Sequence, residues 1–401
     1  MKLYITENGT PSAKSVVLDD LILTKDMPTT AGSKMLDGYK SLFNATVVEK
    51  LANAGYEITG KANIGEFSLD LLGETSYFGA TVNEKGELVS ASAEIIKNGN
   101  IKAAITLDVN GTPRRAAALS DLVFVKPTYG TVSRFGTIPV ACSGETVGVM
   151  AKTVDGCREV LGAIVGHDDS DGTSHSDDKC ALVKAESVKK NGFKIAVATS
   201  LYDAADANAK AKIDEFKTVM SKNGVEVCET DAKELTFAKT AWNILMCAEM
   251  CNNVSRYDGI KYGYRSPDYK TIDELYTNSR TEAFGDLTKT AILFGSDCLS
   301  TENYMKVYDK ALRIRRVISE YFGNLFAEYD ALLMPACGKI AYTESDVKEN
   351  LTLSFDEALY TAPASITGMP AVVIGGVQLV GNAFSEGTLF EIAKIYEKEG
   401  K

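Results

Sequence analysis

The sequence predicts an α/β protein whose sheet is buried between layers of helices. Three observations predict it. Short apolar runs that read as strands alternate along the chain with longer stretches of helical period. The strand-like run at residues 331–336 is apolar at nearly every position, as in a strand covered on both faces. The 401 residues, with 45% hydrophobic content, can bury a large core.

The elements follow in order. Residues 16–23 read as a strand. Asn44 is placed to cap a short helix carrying Val47, Val48 and Leu51, closed by Gly55. A helix follows at 153–165, then a strand at 193–199 and a helix at 207–223 that Gly224 stops before a strand at 225–228. Helices are expected at 239–255, 282–295 and 302–329. The strand at 331–336 carries Pro335 near its end. A closing helix spans 385–398, with Ser385 as N-cap. The polar stretch 168–178 is the best internal break, and it reads as a surface loop inside one domain.

Charge and composition exclude several classes. The net charge is −11 and no Lys/Arg run forms a basic patch, so direct nucleic-acid binding is disfavoured. Residues 1–9 contain no apolar segment of the signal-peptide kind. No apolar run reaches the roughly 18 residues that a membrane span needs. The longest, 370–381, is interrupted by glycines and Gln378. A cytoplasmic protein is expected. Eight scattered cysteines and only two histidines, His167 and His175, suit neither a disulfide framework nor a metal site. Cys247 and Cys251, four apart on a predicted helix, read as buried thiols. No cofactor and no metal are expected.

Four segments carry a family pattern. The first is residues 18–26 with Thr29-Thr30-Ala31-Gly32-Ser33. The second runs from Asn44-Ala45-Thr46-Val47-Val48 to Gly60-Lys61-Ala62-Asn63 and Glu66-Phe67. The third is Lys126-Pro127-Thr128-Tyr129-Gly130, continuing to Gly136. The fourth is Tyr257-Asp258-Gly259 with Tyr262-Gly263-Tyr264-Arg265. Together with residues 376–384 they resemble the amidase-signature family, and within it the branch of A-type subunits of glutamyl-tRNA(Gln) amidotransferase. The resemblance implies an amidase-signature fold, a central mixed β-sheet sandwiched by helices. It implies a single domain over residues 1–401, without the family's helical N-terminal extension and with a shortened loop ahead of Gly376.

The resemblance also implies a chemistry. The family cleaves amides with a Ser–cis-Ser–Lys triad, in which a placed base makes a hydroxyl nucleophilic and backbone N–H groups hold the oxyanion. The lysine belongs in a K-D-N-I run, which here reads Asp19-Asp20-Leu21-Ile22, so its position is Asp19. The nucleophile belongs in D-T-G-G-S-I-R, which here reads Asp108-Val109-Asn110-Gly111-Thr112-Pro113-Arg114, so its position is Thr112. The relay serine belongs in G-G-S-S-G-G-S, and an ungapped count places Leu88 there, inside Gly86-Glu87-Leu88-Val89-Ser90-Ala91-Ser92. The arginine and aspartate that hold glutamine in the A-type subunits fall on Ala291 and Ala358.

These substitutions lead to the expectation of a catalytically degenerate pseudoenzyme: a scaffold, interaction partner or small-ligand binder, with amidotransferase-type subunits or an active paralogue as partners. The alternative is an active divergent amidase, or a glutamine-dependent amidotransferase component acting on carbon–nitrogen amide bonds. That alternative requires a hydroxyl or thiol with a base nearby, and Thr112 with Asp19 or Asp20 is the pair to look for. Arg114 and Arg115 are candidate anion contacts, set against ordinary surface pairing. Lys126 belongs to a structural motif, Cys142-Ser143 reads as packing, and His167 as a structural hydrogen bond. Residues 306–316 read as a solvated helix face.

Overall fold

A computed structural model describes residues 2–400. The strands are β1 (Tyr4–Glu7), β2 (Ser15–Asp19), β3 (Glu57–Ala62), β4 (Ala103–Asp108), β5 (Val123–Lys126), β6 (Thr146–Ala151), β7 (Lys194–Ala198), β8 (Glu226–Thr230), β9 (Ala331–Pro335), β10 (Ala371–Ile374) and β11 (Val377–Val380). The helices are α1 (Thr46–Asn53), α2 (Ala91–Asn98), α3 (Thr112–Leu119), α4 (Val154–Ile164), α5 (Asp177–Lys184), α6 (Thr199–Ala204), α7 (Ala207–Lys222), α8 (Phe237–Asn253), α9 (Ile272–Ala283), α10 (Asp286–Cys298), α11 (Asp309–Leu325), α12 (Glu344–Glu349), α13 (Leu353–Thr367) and α14 (Glu386–Glu399).

All eleven strands join one mixed sheet, in the order β1-β3-β2-β4-β6-β5-β10-β11-β9-β7-β8. The expected buried α/β sheet is therefore present. Its strands bury both faces because successive side chains point to opposite sides. In β4, Ala103, Ile105 and Leu107 enter the larger apolar core, whereas Ala104 enters the smaller one across the sheet. Val123 and Val125 of β5 join the first core and Phe124 the second. The strands at the two ends of the sheet, β1 and β8, are partly exposed.

Four sequence expectations are corrected in detail. The first strand stops at Asp19, well short of residue 23, because the chain turns there with the Ile22 amide donating to the Asp19 carbonyl at 3.1 Å. Asn44 does not cap α1. Its Oδ1 accepts from the Lys25 amide at 2.9 Å and Ala45 stands at the cap without a side-chain bond. The single helix expected over 282–295 is two, α9 and α10, broken at Phe284–Gly285, where the Gly285 amide donates to the buried Glu66 Oε2 at 2.8 Å. The helix expected from 302 begins instead with a wide turn at Tyr304–Tyr308 and becomes regular only in α11.

The glycine-interrupted run at 370–381 folds as the β10–β11 hairpin. Ile374 pairs with Val377, leaving the two-residue turn Gly375-Gly376 with φ of +59° and +82°. Two consecutive left-handed residues suit the twist of a tight hairpin, and glycine adopts them without steric cost. This hairpin joins β5 to β9 and so links the sheet's N-terminal half to β7–β9. Among the described residues no helix is long and apolar enough to cross a membrane. None of the residue clusters among them has the three His, Cys, Asp or Glu groups that a metal site would use.

Candidate active site at the strand ends

Strands β3, β2 and β4 lie side by side and parallel, so their carboxyl ends reach the same edge of the sheet. Asp19 ends β2, Asn63 follows β3 and Asp108 ends β4. Loops leaving such an edge form a crevice in open α/β sheets. Two helices begin there. Ser90 is the N-cap of α2 and Gly111 that of α3, and neither N-terminus has a side-chain capping bond. Gly111 has φ +85°, and a Cβ there would collide with the Thr361 side chain, so glycine is required.

Between these elements lies a cavity of about 20 Å³, lined by Asp19, Asn63, Gly65, Ser90, Ser92, Thr106 and Thr112 among others. A space of this size holds a single water. Asp19 is buried within it. Its Oδ1 accepts from the Ser92 hydroxyl at 2.8 Å, and its Oδ2 from the Leu107 amide at 3.3 Å. Burial pushes the Asp19 carboxyl up to about 7; the two hydrogen bonds oppose that shift and neighbouring Asp20 adds to it. The Thr106 hydroxyl, on β4, is buried at the same cavity with no hydrogen-bond partner.

Thr112 and Asp19 line this cavity together, but they do not form the expected acid–base pair. The Thr112 hydroxyl donates to the Asp70 carbonyl at 2.7 Å, so its proton is committed elsewhere. Leu88 is not brought to them. It is buried in the smaller core, its amide donating to the Tyr342 carbonyl at 2.7 Å, and it does not line the cavity. Ala291 and Ala358 are fully buried in the larger core, also away from the cavity. Ala291 sits one turn before Gly295, where a Cβ would collide with the Cys247 carbonyl. Small residues on that face of α10 let it approach α8 closely.

The reading of Arg114 and Arg115 as anion contacts is corrected, and so is the surface pairing set against it. Both side chains are fully buried and already paired. Arg114 meets Asp108 through Nε at 2.6 Å and Nη2 at 3.1 Å, and donates to the Thr361 carbonyl, Gln378 Oε1 and Ser365 Oγ. Arg115 donates to the carbonyls of Leu71, Asn110 and Asp70 at 2.8–3.2 Å. Neither has a donor free for a ligand. Together they fix the loop at 69–71 against the start of α3, which sets the cavity wall. Asp20 pairs with the buried Lys61 at 3.8 Å and accepts from the Thr30 amide, so it serves the strand-end turn.

The remaining singled-out residues lie away from the cavity. Lys126 is fully buried, with Nζ donating to the Met369 carbonyl at 3.0 Å. His167 bonds the His175 carbonyl at 2.9 Å. Arg313 and Arg316 on α11 are exposed.

Ser92 is the site residue that sequence reasoning missed. A signal was present: in the ungapped count Ser92 stands at the last serine of the family's G-G-S-S-G-G-S run. The family pattern points instead to the third position of that run, Leu88, which the fold sends into the core.

The amidase family model matches residues 15–390. The chain belongs to the amidase family. It is 34% identical over 397 residues to the A-type subunit of glutamyl-tRNA(Gln) amidotransferase from Latilactobacillus sakei, covering 95% of this chain and 81% of that protein. It is 33% identical over 412 residues to the protein of the same name from Listeria monocytogenes, covering 98% and 85%. The crystal structure of the corresponding A-type subunit from Thermotoga maritima superposes with a TM-score of 0.82 at 28% identity, covering 99% of this chain and 87% of that one. An allophanate hydrolase from Kluyveromyces lactis shares the fold, with a TM-score of 0.83 at 20% identity, covering 99% of this chain and 67% of that one.

These findings confirm the amidase-signature fold and the likeness to the A-type subunits. They overturn the expectation of a degenerate pseudoenzyme. The relatives matched along almost the whole amidase-family chain carry the name of an amidotransferase subunit, which favours the alternative reading. The inference from residue losses failed at an identifiable step. Loss of the family's triad residues was equated with loss of any hydroxyl–base pair, yet the lysine position holds an aspartate in contact with a serine.

Proposed function

We propose that this amidase-family chain acts on carbon–nitrogen amide bonds, as an A-type amidotransferase subunit with a divergent site. One observation carries the reading. At the carboxyl ends of β2 and β4, a buried carboxylate holds a hydroxyl at 2.8 Å between two uncapped helix N-termini. A carboxyl raised to about 7 is matched to accept and return a proton at neutral pH. Helix N-termini favour negative charge, such as an amide carbonyl develops when attacked. Asp19 and Thr112 are kept as residues of this site. The relatives' names supply the substrate class, glutamine as amide donor, and an assembly with further amidotransferase-type subunits. A cytoplasmic setting suits the eight unpaired thiols.

The reading is tested by ammonia release from glutamine, asparagine and simple primary amides, by the chain alone and co-purified with B- and C-type subunits. Turnover that Asp19→Asn reduces by at least about 100-fold is the expected result. No release from any amide in either preparation overturns the proposal.

A further inference from the structure

We propose that Ser92 is the nucleophile of this site and Asp19 its base; this rests on the amide-cleaving reading above. The geometry separates Ser92 from the other hydroxyls at the cavity. Its Oγ is the one that donates to the Asp19 carboxylate. Thr112 gives its proton to a backbone carbonyl. Thr106 has no partner at all. Ser92 lies in the first turn of α2, so its Oγ is fixed by helical backbone rather than by a loop. Only the carboxylate of Asp19 faces it; the neighbouring Asp20 is turned to Thr30 and Lys61.

The rest of the cavity suits what such a nucleophile needs. The first turns of α2 and α3 both line it, through Ser90, Ser92, Thr112 and Pro113. Their unbonded first-turn N–H groups offer a positive potential where an oxyanion would form. Thr106 Oγ1, buried and without a partner, is a hydrogen-bonding group suited to a polar ligand or a water. The rim at Gly73 and Ser90 is partly exposed and must widen to admit a primary carboxamide, because the space as it stands takes about one water.

The step balances without an added reagent. Ser92 Oγ bonds to the amide carbon as its proton passes to Asp19 Oδ1. The carbon–nitrogen bond then breaks, and Asp19 returns that proton to the departing nitrogen. Ammonia leaves and an acyl ester remains on Ser92. Water, giving a proton to Asp19, attacks the ester, and the proton goes to Ser92 Oγ as the acid departs. This pairing replaces the family's lysine and relay serine with one carboxylate, held near neutrality by its burial.

The test combines covalent labelling with turnover on the purified chain. A fluorophosphonate probe is applied to wild type, Ser92→Ala, Thr112→Ala and Asp19→Asn, and the modified peptide is mapped by mass spectrometry. Thermal melts confirm that each variant is folded. Label on Ser92 in wild type, abolished in Asp19→Asn, is the expected result, with ammonia release down about 10⁴-fold in Ser92→Ala and far less in Thr112→Ala. Label on Thr112, or on Ser92 undiminished in folded Asp19→Asn, overturns this assignment while leaving amide cleavage standing. Turnover retained in Ser92→Ala does the same. Absence of both label and turnover in wild type removes the amide reading and this assignment with it.

Discussion

Asp19 shows how one substitution changes both stability and chemistry. Its carboxyl sits near 7 because it is buried, and an unfolded aspartate titrates near 3.9. The folded chain therefore binds the proton more tightly than the unfolded chain between those values. Stability contributed by this group is present below about pH 4 and is lost as pH rises through about 7. Asp19→Asn cannot ionise and escapes that loss. Urea denaturation should show the variant gaining on wild type from pH 4 to pH 8, by on the order of 1 kcal/mol per pH unit inside the window. An equal difference at pH 5 and pH 8 would mean the carboxyl is not buried as described. Activity should move the opposite way, with kcat/KM rising with pH around a midpoint near 7 as the carboxylate forms. Arg114 makes a second prediction. Removing it leaves Asp108 charged and unpaired in the core, so Arg114→Ala should cost about 3–5 kcal/mol in chemical denaturation.

At the scale of elements, the site depends on where helices start. The start of α3 requires the left-handed conformation of Gly111 and the Asp108 carboxylate, which accepts from the Gly111 amide at 3.0 Å. Pro113 is tolerated in that first turn because its missing N–H would have had no helical partner. Gly111→Ala would strain the turn and strike Thr361; it should lower the melting temperature and reduce activity together. A variant as stable and as active as wild type would show that α3 does not need this turn. The start of α4 is a simpler case. Thr153 accepts from the Gly156 amide at 3.0 Å, as its position in the sequence predicts. Thr153→Ala should cost about 1 kcal/mol without touching activity, since α4 does not line the cavity.

At the scale of the molecule, the sheet makes one body of the chain. Strands from residues 371–380 join the part built from β1–β6 to the part built from β7–β9. Trp242, the sole tryptophan, is fully buried in the larger core. Its fluorescence and the far-ultraviolet circular dichroism should therefore report one coincident unfolding transition. Gly376→Val, which strains the hairpin turn at φ +82°, should shift both curves equally. Separate transitions would show that the two parts of the sheet unfold independently.

The sequence by itself determined the α/β class, the family, the long helices α4, α7, α8 and α14, and the positions Asp19 and Thr112. Those features are written locally, as runs of apolar residues at a helical or strand period and as motifs in fixed register. It was silent on β4, β5 and β6, whose short runs acquire strand character only by pairing inside the sheet. The site itself was decided by tertiary structure. Ser92 meets Asp19 from 73 positions away because β2 and β4 end side by side and α2 begins over them. Leu88 leaves the site because its segment bonds to Tyr342 and turns into the core. Arg114 and Arg115 look like surface cations in sequence, yet they are buried because carbonyls and carboxylates from distant segments satisfy every direction they point. A count along the chain can say which residue stands at a motif position. Which hydroxyl meets which base is a property of the packed sheet.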